Sequence, residues 1–192
     1  MSTLPTPHQM TINVYFGNSV DIEKLAKNLQ INEIPSELKS KKKLNNSPFL
    51  NSLVEIGLAD RAIGSRFLEL SFWKRTPSSV RIWSDKATFL NCLNWQNVSK
   101  LLFELNQYTS ITVGNFEETI VTYKYPNSLP SEQIVARFQE VPGFSMRPSH
   151  TIIFKYQRTN FKIFSNYILQ TSPNQETAAA DFQVFQTELA KI

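Results

Sequence analysis

The chain has 192 residues, enough for one large domain or two small fused ones, and its 41% hydrophobic content can supply a buried core. Five glycines are too few for Gly-rich phosphate loops, and the single cysteine, Cys92, excludes an internal disulfide and points to a reducing compartment. A net charge of +4 permits nucleic acid as a partner without requiring it.

Residues 1–10 read as a loose tail with no charged-then-apolar signal segment. Thr11–Phe16 alternates Ile12, Val14 and Phe16 against Asn13 and Tyr15, which predicts a half-buried strand. Asp21–Leu29 places Ile22, Leu25, Ala26 and Leu29 at helical spacing, with Ser19 or Asp21 as cap. Residues 31–48, with Lys39 and Lys41–Lys43, read as an exposed loop, and Phe49–Leu58 is apolar but of undecided type. Arg66–Trp73, Val80–Trp83 and Ala87–Cys92 read as three antiparallel strands, separated by turns at Lys74–Ser79 and Ser84–Lys86. A helix capped by Asn94 follows through Trp95–Leu105, with Val98, Leu101, Leu102 and Leu105 on one stripe. Strand signals return within Ser110–Tyr125, and Pro130–Ser131 opens a helix carrying Ile134, Val135 and Phe138. After the Pro142–Gly143 turn come strands at Thr151–Gln157, Phe161–Ser165 and Tyr167–Thr171, then a helix from about Asn174 to Leu189. No apolar run approaches the roughly 18 residues of a membrane span, so a soluble intracellular protein with no membrane partner is expected.

The order strand, helix, three strands, helix is thus stated twice, over residues 11–108 and 109–192. The first copy carries an inserted Lys-rich loop over about 31–60. The clearest echo sets Val80-Arg81-Ile82-Trp83-Ser84 beside Phe161-Lys162-Ile163-Phe164-Ser165. Alternation then fixes sidedness: Val80 and Ile82, like Phe161 and Ile163, share the face that helices cover. Arg81 with Trp83, and Lys162 with Phe164, turn to the opposite face, and an exposed ring beside a cation implies something bound there.

At these residues the chain resembles the TATA-box-binding protein family. Arg66-Phe67, the basic turn Lys74-Arg75-Thr76-Pro77 and the pair Ile82-Trp83 look like the family's second and third strands. Asn13 before Val20-Asp21-Ile22-Glu23-Lys24-Leu25-Ala26 is similar to its first strand and helix, and Asn115 and Pro142-Gly143 have counterparts. The resemblance spans about residues 11–192. It implies an α+β fold of two tandem repeats forming a pseudo-twofold saddle, with a curved antiparallel sheet and helices on the convex face. It implies a transcription initiation factor that bends double-stranded promoter DNA through the minor groove, using apolar wedges. Other initiation factors and RNA polymerase would be partners. Residence would be the nucleus, or the site of transcription in cytoplasm or virion for a viral member; a viral or protist origin suits such drift.

Carried over by position, the first wedge pair is Phe67 and Trp83, and the groove-reading asparagines are Asn13 and Asn115. The second pair is Phe164, with Phe154 as its rival, partnered by Phe144 or Met146; Arg81 and Lys162 supply cations. The family's glycine is missing from Ser84-Asp85-Lys86, Glu69 shares a face with Phe67, and Glu117 and Glu118 follow Asn115. Those carboxylates favour a second reading, a protein-interaction module of the same fold that has lost DNA binding. A third is a substrate-recognition domain detached from a nucleic-acid enzyme. Read individually, the rings are also compatible with ordinary packing, the cations with solvated charges, the asparagines with turn or edge positions, and Lys39–Lys43 with a solvated loop. Two distant histidines, His8 and His150, and one cysteine make no metal site or catalytic arrangement, so no enzyme activity and no cofactor is expected.

Overall fold

The computed structural model describes residues 7–32, 53–60, 66–72, 76–92 and 95–192. These form an α+β protein of ten strands and four helices, in two compact units, Ile12–Glu117 and Met1–Thr11 with Glu118–Ile192. The loop at Lys39–Lys43, the turn residues 74 and 75, and the Asn94 cap lie outside the described residues.

The first unit holds β1 (Pro7–Phe16) from Ile12 onward, then α1 (Ile22–Asn32), β2 (Leu53–Asp60), β3 (Arg66–Phe72), β4 (Ser79–Ile82), β5 (Lys86–Leu90) and α2 (Trp95–Leu105). Its strands lie in the order β2-β3-β4-β5-β1, each pair antiparallel. The second holds β6 (Val113–Lys124) from Glu118 onward, then α3 (Ser131–Phe138), β7 (Ser145–Met146), β8 (Ile152–Tyr156), β9 (Thr159–Ile163), β10 (Tyr167–Ser172) and α4 (Gln175–Leu189), in the order β6-β10-β9-β8-β7. Element order and strand order are the same in both units.

Three expectations need correction. Each unit has four strands between its helices, not three. β2 occupies the end of the stretch assigned to an inserted loop. Its Val54, Ile56 and Leu58 alternate with Glu55, Gly57 and Ala59, a strand pattern that the expected loop over 31–60 passed over, and its pairing with β3 carries a register shift between Leu53 and Glu55. β7 has only two residues, too few for any periodicity. β1 begins at Pro7, inside the expected tail, where Pro7-His8-Gln9 is too polar to signal a strand.

Local chemistry explains the helix ends. The Asp21 carboxylate accepts the Lys24 N–H at 2.9 Å, and the Asn174 amide oxygen accepts the Thr177 N–H at 2.8 Å. Each satisfies a donor that a helix start leaves orphaned. In the first unit Ile12, Val14, Leu68, Leu70, Val80, Ile82, Ala87 and Phe89 are buried along one face of the sheet. α1 buries Ile22, Leu25, Ala26 and Leu29, and α2 buries Val98, Leu101, Leu102 and Leu105. The second core is ring-rich: Phe138 of α3 stacks on Phe154 of β8 at 4.8 Å, and Phe185 of α4 stacks on Phe161 of β9 at 4.4 Å. No described helix is long and apolar enough to cross a membrane.

Two polar clusters lie within this second core. Asp181 of α4 accepts the Thr159 hydroxyl at 2.7 Å and the Arg158 N–H at 3.1 Å, and Thr159 also bonds Ser172 at 2.7 Å. Gln170 donates to the Ala178 carbonyl at 2.7 Å and accepts from the Tyr123 hydroxyl at 3.2 Å. These bonds register α4 on β9 and β10, because a buried donor without an acceptor costs more than the bond itself contributes.

Burial raises the Tyr123 phenol far above its ordinary range, and burial pushes Tyr125 up to about 12. A raised folded-state value means that the unfolded chain ionises first, near pH 10. Stability from these two residues is therefore complete below about pH 10 and is lost as pH rises towards 12. Melting temperature followed by circular dichroism should fall over that window. Absorbance near 295 nm should show the two tyrosinates appearing only with unfolding; titration before unfolding would contradict the burial.

Candidate nucleic-acid interface

A matched set of backbone bonds equates the two units. In the first, the Trp83 N–H donates to the Lys86 carbonyl at 2.8 Å, closing a turn over Ser84 and Asp85. The Asp85 and Ser84 carbonyls accept the Phe16 and Val20 N–H groups, each at 2.8 Å. In the second, the Phe164 N–H donates to the Tyr167 carbonyl at 2.9 Å, and the Asn166 and Ser165 carbonyls accept the Tyr125 and Leu129 N–H groups at 2.8 and 2.6 Å. Trp83 thus matches Phe164, Lys86 matches Tyr167 and Phe16 matches Tyr125. Each turn is tethered from behind by the chain leaving the unit's opening strand.

On the first unit's open face, away from the buried sheet residues, Glu69 and Arg81 stand directly opposite in register. Arg81 Nε donates to Glu69 Oε2 at 3.1 Å. In the same transverse row, the Thr88 hydroxyl donates to Asn13 Oδ1 at 2.7 Å. One step along, rings and cations interleave. Phe67 and Trp83 lie 5.3 Å apart, Arg81 sits 5.7 Å from the Phe67 ring, and Lys86 Nζ sits 5.1 Å from Trp83 and 5.8 Å from Tyr15. Phe67 and Trp83 face the expected side, yet they are only 8% and 7% exposed. The expectation of exposed rings is corrected: the two rings and the flanking cations shield one another.

The second unit's open face is built differently. Ile153, Lys162, Leu169 and Thr122 form one row, and Lys155, Asn160, Thr171 and Ile120 form the next. Phe164 is partly exposed and stacks on Tyr167 with centroids 4.1 Å apart and planes 12° from parallel. Tyr167 is paired in register with Lys124. Lys124, Lys155 and Lys162 are exposed, and ion pairs among the described residues engage Arg66, Arg81, Arg137 and Lys191 instead.

The structure therefore brings Phe67, Trp83 and Arg81 together on one face, and Lys162 with Phe164 on the other unit's equivalent face. Phe154 lies in the second core at 1% exposure. Phe144 packs partly buried against that same core, and Met146 is 57% exposed on β7. The ring that stacks on Phe164 is that of Tyr167. Unit-to-unit register gives Phe67 the counterpart Thr151, because Leu68 pairs with Ile82 as Ile152 pairs with Ile163. It gives Asn13 the counterpart Thr122, because Asn13 pairs with Thr88 as Thr122 pairs with Leu169, five residues beyond Trp83 and Phe164 respectively. Asn115 sits earlier on β6, and its side chain lies outside the described residues. Counted back from the buried Thr119, alternation puts Glu118 on the face of Thr122 and Lys124, and Glu117 on the other. Burial raises the Glu117 carboxyl above its usual range.

Tyr167, Lys124 and Lys155 were not singled out by the sequence. Tyr167 was findable, since the Trp83/Phe164 echo places it level with Lys86 across an equally short turn. No protein-family model matches the chain, and no curated protein matches it either.

Proposed function

We propose that this chain is a DNA-binding, DNA-bending protein of the TATA-box-binding type, acting without chemistry in transcription initiation. The observation that carries this reading is the doubled hairpin. Two units of one connectivity hold the same tethered turn, and each turns an aromatic ring and a cation to the face opposite its core. Such a face suits DNA because phosphates supply the affinity and inserted rings supply the bend. Helices on the other face would remain free for initiation factors and polymerase.

The test is energy transfer between dyes at the two ends of an AT-rich duplex. Addition of the protein should shorten the end-to-end distance, and the change should shrink steeply as salt rises. A folded protein that leaves the duplex straight at low salt would overturn the reading. It would favour instead a protein-interaction module of the same fold. Two observations lean that way: Glu69 neutralises Arg81, and Phe67 and Trp83 are already buried.

A further inference from the structure

The two units place different residues at equivalent positions of the tethered turn, and the difference bears on which half grips a duplex. The first unit draws its rings from two strands, Phe67 of β3 and Trp83 after β4, and buries them under its own cations. The second has Thr151 where Phe67 would be, and its second ring comes from within the hairpin, as Tyr167. We infer that Phe164 and Tyr167 act as one preformed two-ring blade that enters the base stack, making the second unit the dominant base-contacting half. The inference rests on the DNA-bending reading and assigns its strongest contact.

Four features support it. The rings are already parallel and in contact, so little rotamer freedom is left to lose on binding. Their backbone is fixed by three bonds, from Phe164, Tyr125 and Leu129, so the blade stands on a rigid base. Both rings are partly exposed, unlike Phe67 and Trp83. Lys162 precedes Phe164 by two residues on the same face, and Lys124 lies opposite Tyr167, so ammonium groups flank the blade where phosphates would flank an opened step.

The experiment uses the full chain and AT-rich duplexes in which single adenines are replaced by 2-aminopurine, whose fluorescence rises when it unstacks. Affinity is read in parallel by anisotropy. Tyr167→Leu keeps bulk and apolarity but removes the aromatic face; it should weaken binding about tenfold and abolish the fluorescence rise. Tyr167→Phe should retain both, and Trp83→Leu should cost less than Tyr167→Leu. Melting curves matching the wild type would show that each variant is folded. A wild-type rise that survives in folded Tyr167→Leu at unchanged affinity would overturn the blade and leave DNA bending standing. A wild-type chain that binds no duplex even at low salt would overturn both.

Discussion

Phe185→Ala is expected to lower the stability of the second unit by about 3–5 kcal/mol, the largest single-residue loss anticipated in this protein. Phe185 is fully buried and sits among the rings of Phe161, Phe138, Phe154, Tyr156 and Phe182 at centroid distances from 4.4 to 6.5 Å. Rings of that size, pinned on strands and helices, cannot collapse into the space that a lost phenyl leaves, so both the transfer and cavity costs are felt. The exposed Phe103 of α2 is the control: at 72% exposure, Phe103→Ala should change stability by less than about 0.5 kcal/mol. All three tryptophans, Trp73, Trp95 and Trp83, lie within Ile12–Glu117, so tryptophan fluorescence reports the first unit while far-UV dichroism reports both. In urea, Phe185→Ala should move an early dichroism transition. If fluorescence moves with it, the units unfold as one; if the dichroism midpoint does not move, the ring cluster is not the second unit's anchor.

Most of the fold could be read because apolar period and burial agree. Ile12/Val14, Val80/Ile82 and Phe161/Ile163 alternate in the sequence and are buried in the structure. Val98, Leu101, Leu102 and Leu105 recur at helical spacing and form the buried stripe of α2. β2 was legible in the alternation of Val54, Ile56 and Leu58, but the loop expected over 31–60 absorbed it. The bonds of Asp181 to Thr159 and of Gln170 to Tyr123 could not be read, because contacts between distant residues are not local. Nothing in the local sequence announces that a threonine and an aspartate 22 residues apart will meet beneath a helix.

The site was half legible. Alternation along one strand is local, so the sidedness of Arg81, Trp83, Lys162 and Phe164 could be read directly. Partner assignment is not local, since it depends on strand register. Asn13 has its register match in Thr122 rather than in Asn115, and the ring stacked on Phe164 is a tyrosine three residues downstream. Glu69 was seen to share a face with Phe67. That it stands opposite Arg81 and engages its guanidinium required the β3–β4 register. The cationic character of the first unit's open face is thereby reduced, leaving the phosphate-binding capacity of the second unit as the point on which the functional reading turns.

Replacing Lys124, Lys155 and Lys162 together by glutamine should flatten the salt dependence of duplex binding. If each ammonium neutralises one phosphate, the three contribute about 2.7 to the slope of log affinity against log salt, so between 50 and 200 mM salt they account for a loss of about 40-fold. The triple variant should bind more weakly at low salt and lose that share of the dependence. A charge-matched control, Lys24, Lys27 and Lys100 to glutamine, makes the same change in net charge, from +4 to +1, with side chains carried on α1 and α2. Long-range attraction falls equally in both variants, so the difference between them isolates contacts made by the open face. All six ammoniums are exposed, and glutamine keeps much of the stem, so melting temperatures should stay near the wild type. Equal slopes for the two variants would mean that phosphates do not lie along β8, β9 and β6. The lysines there would then be solvating charges, and the open face would belong to a protein partner.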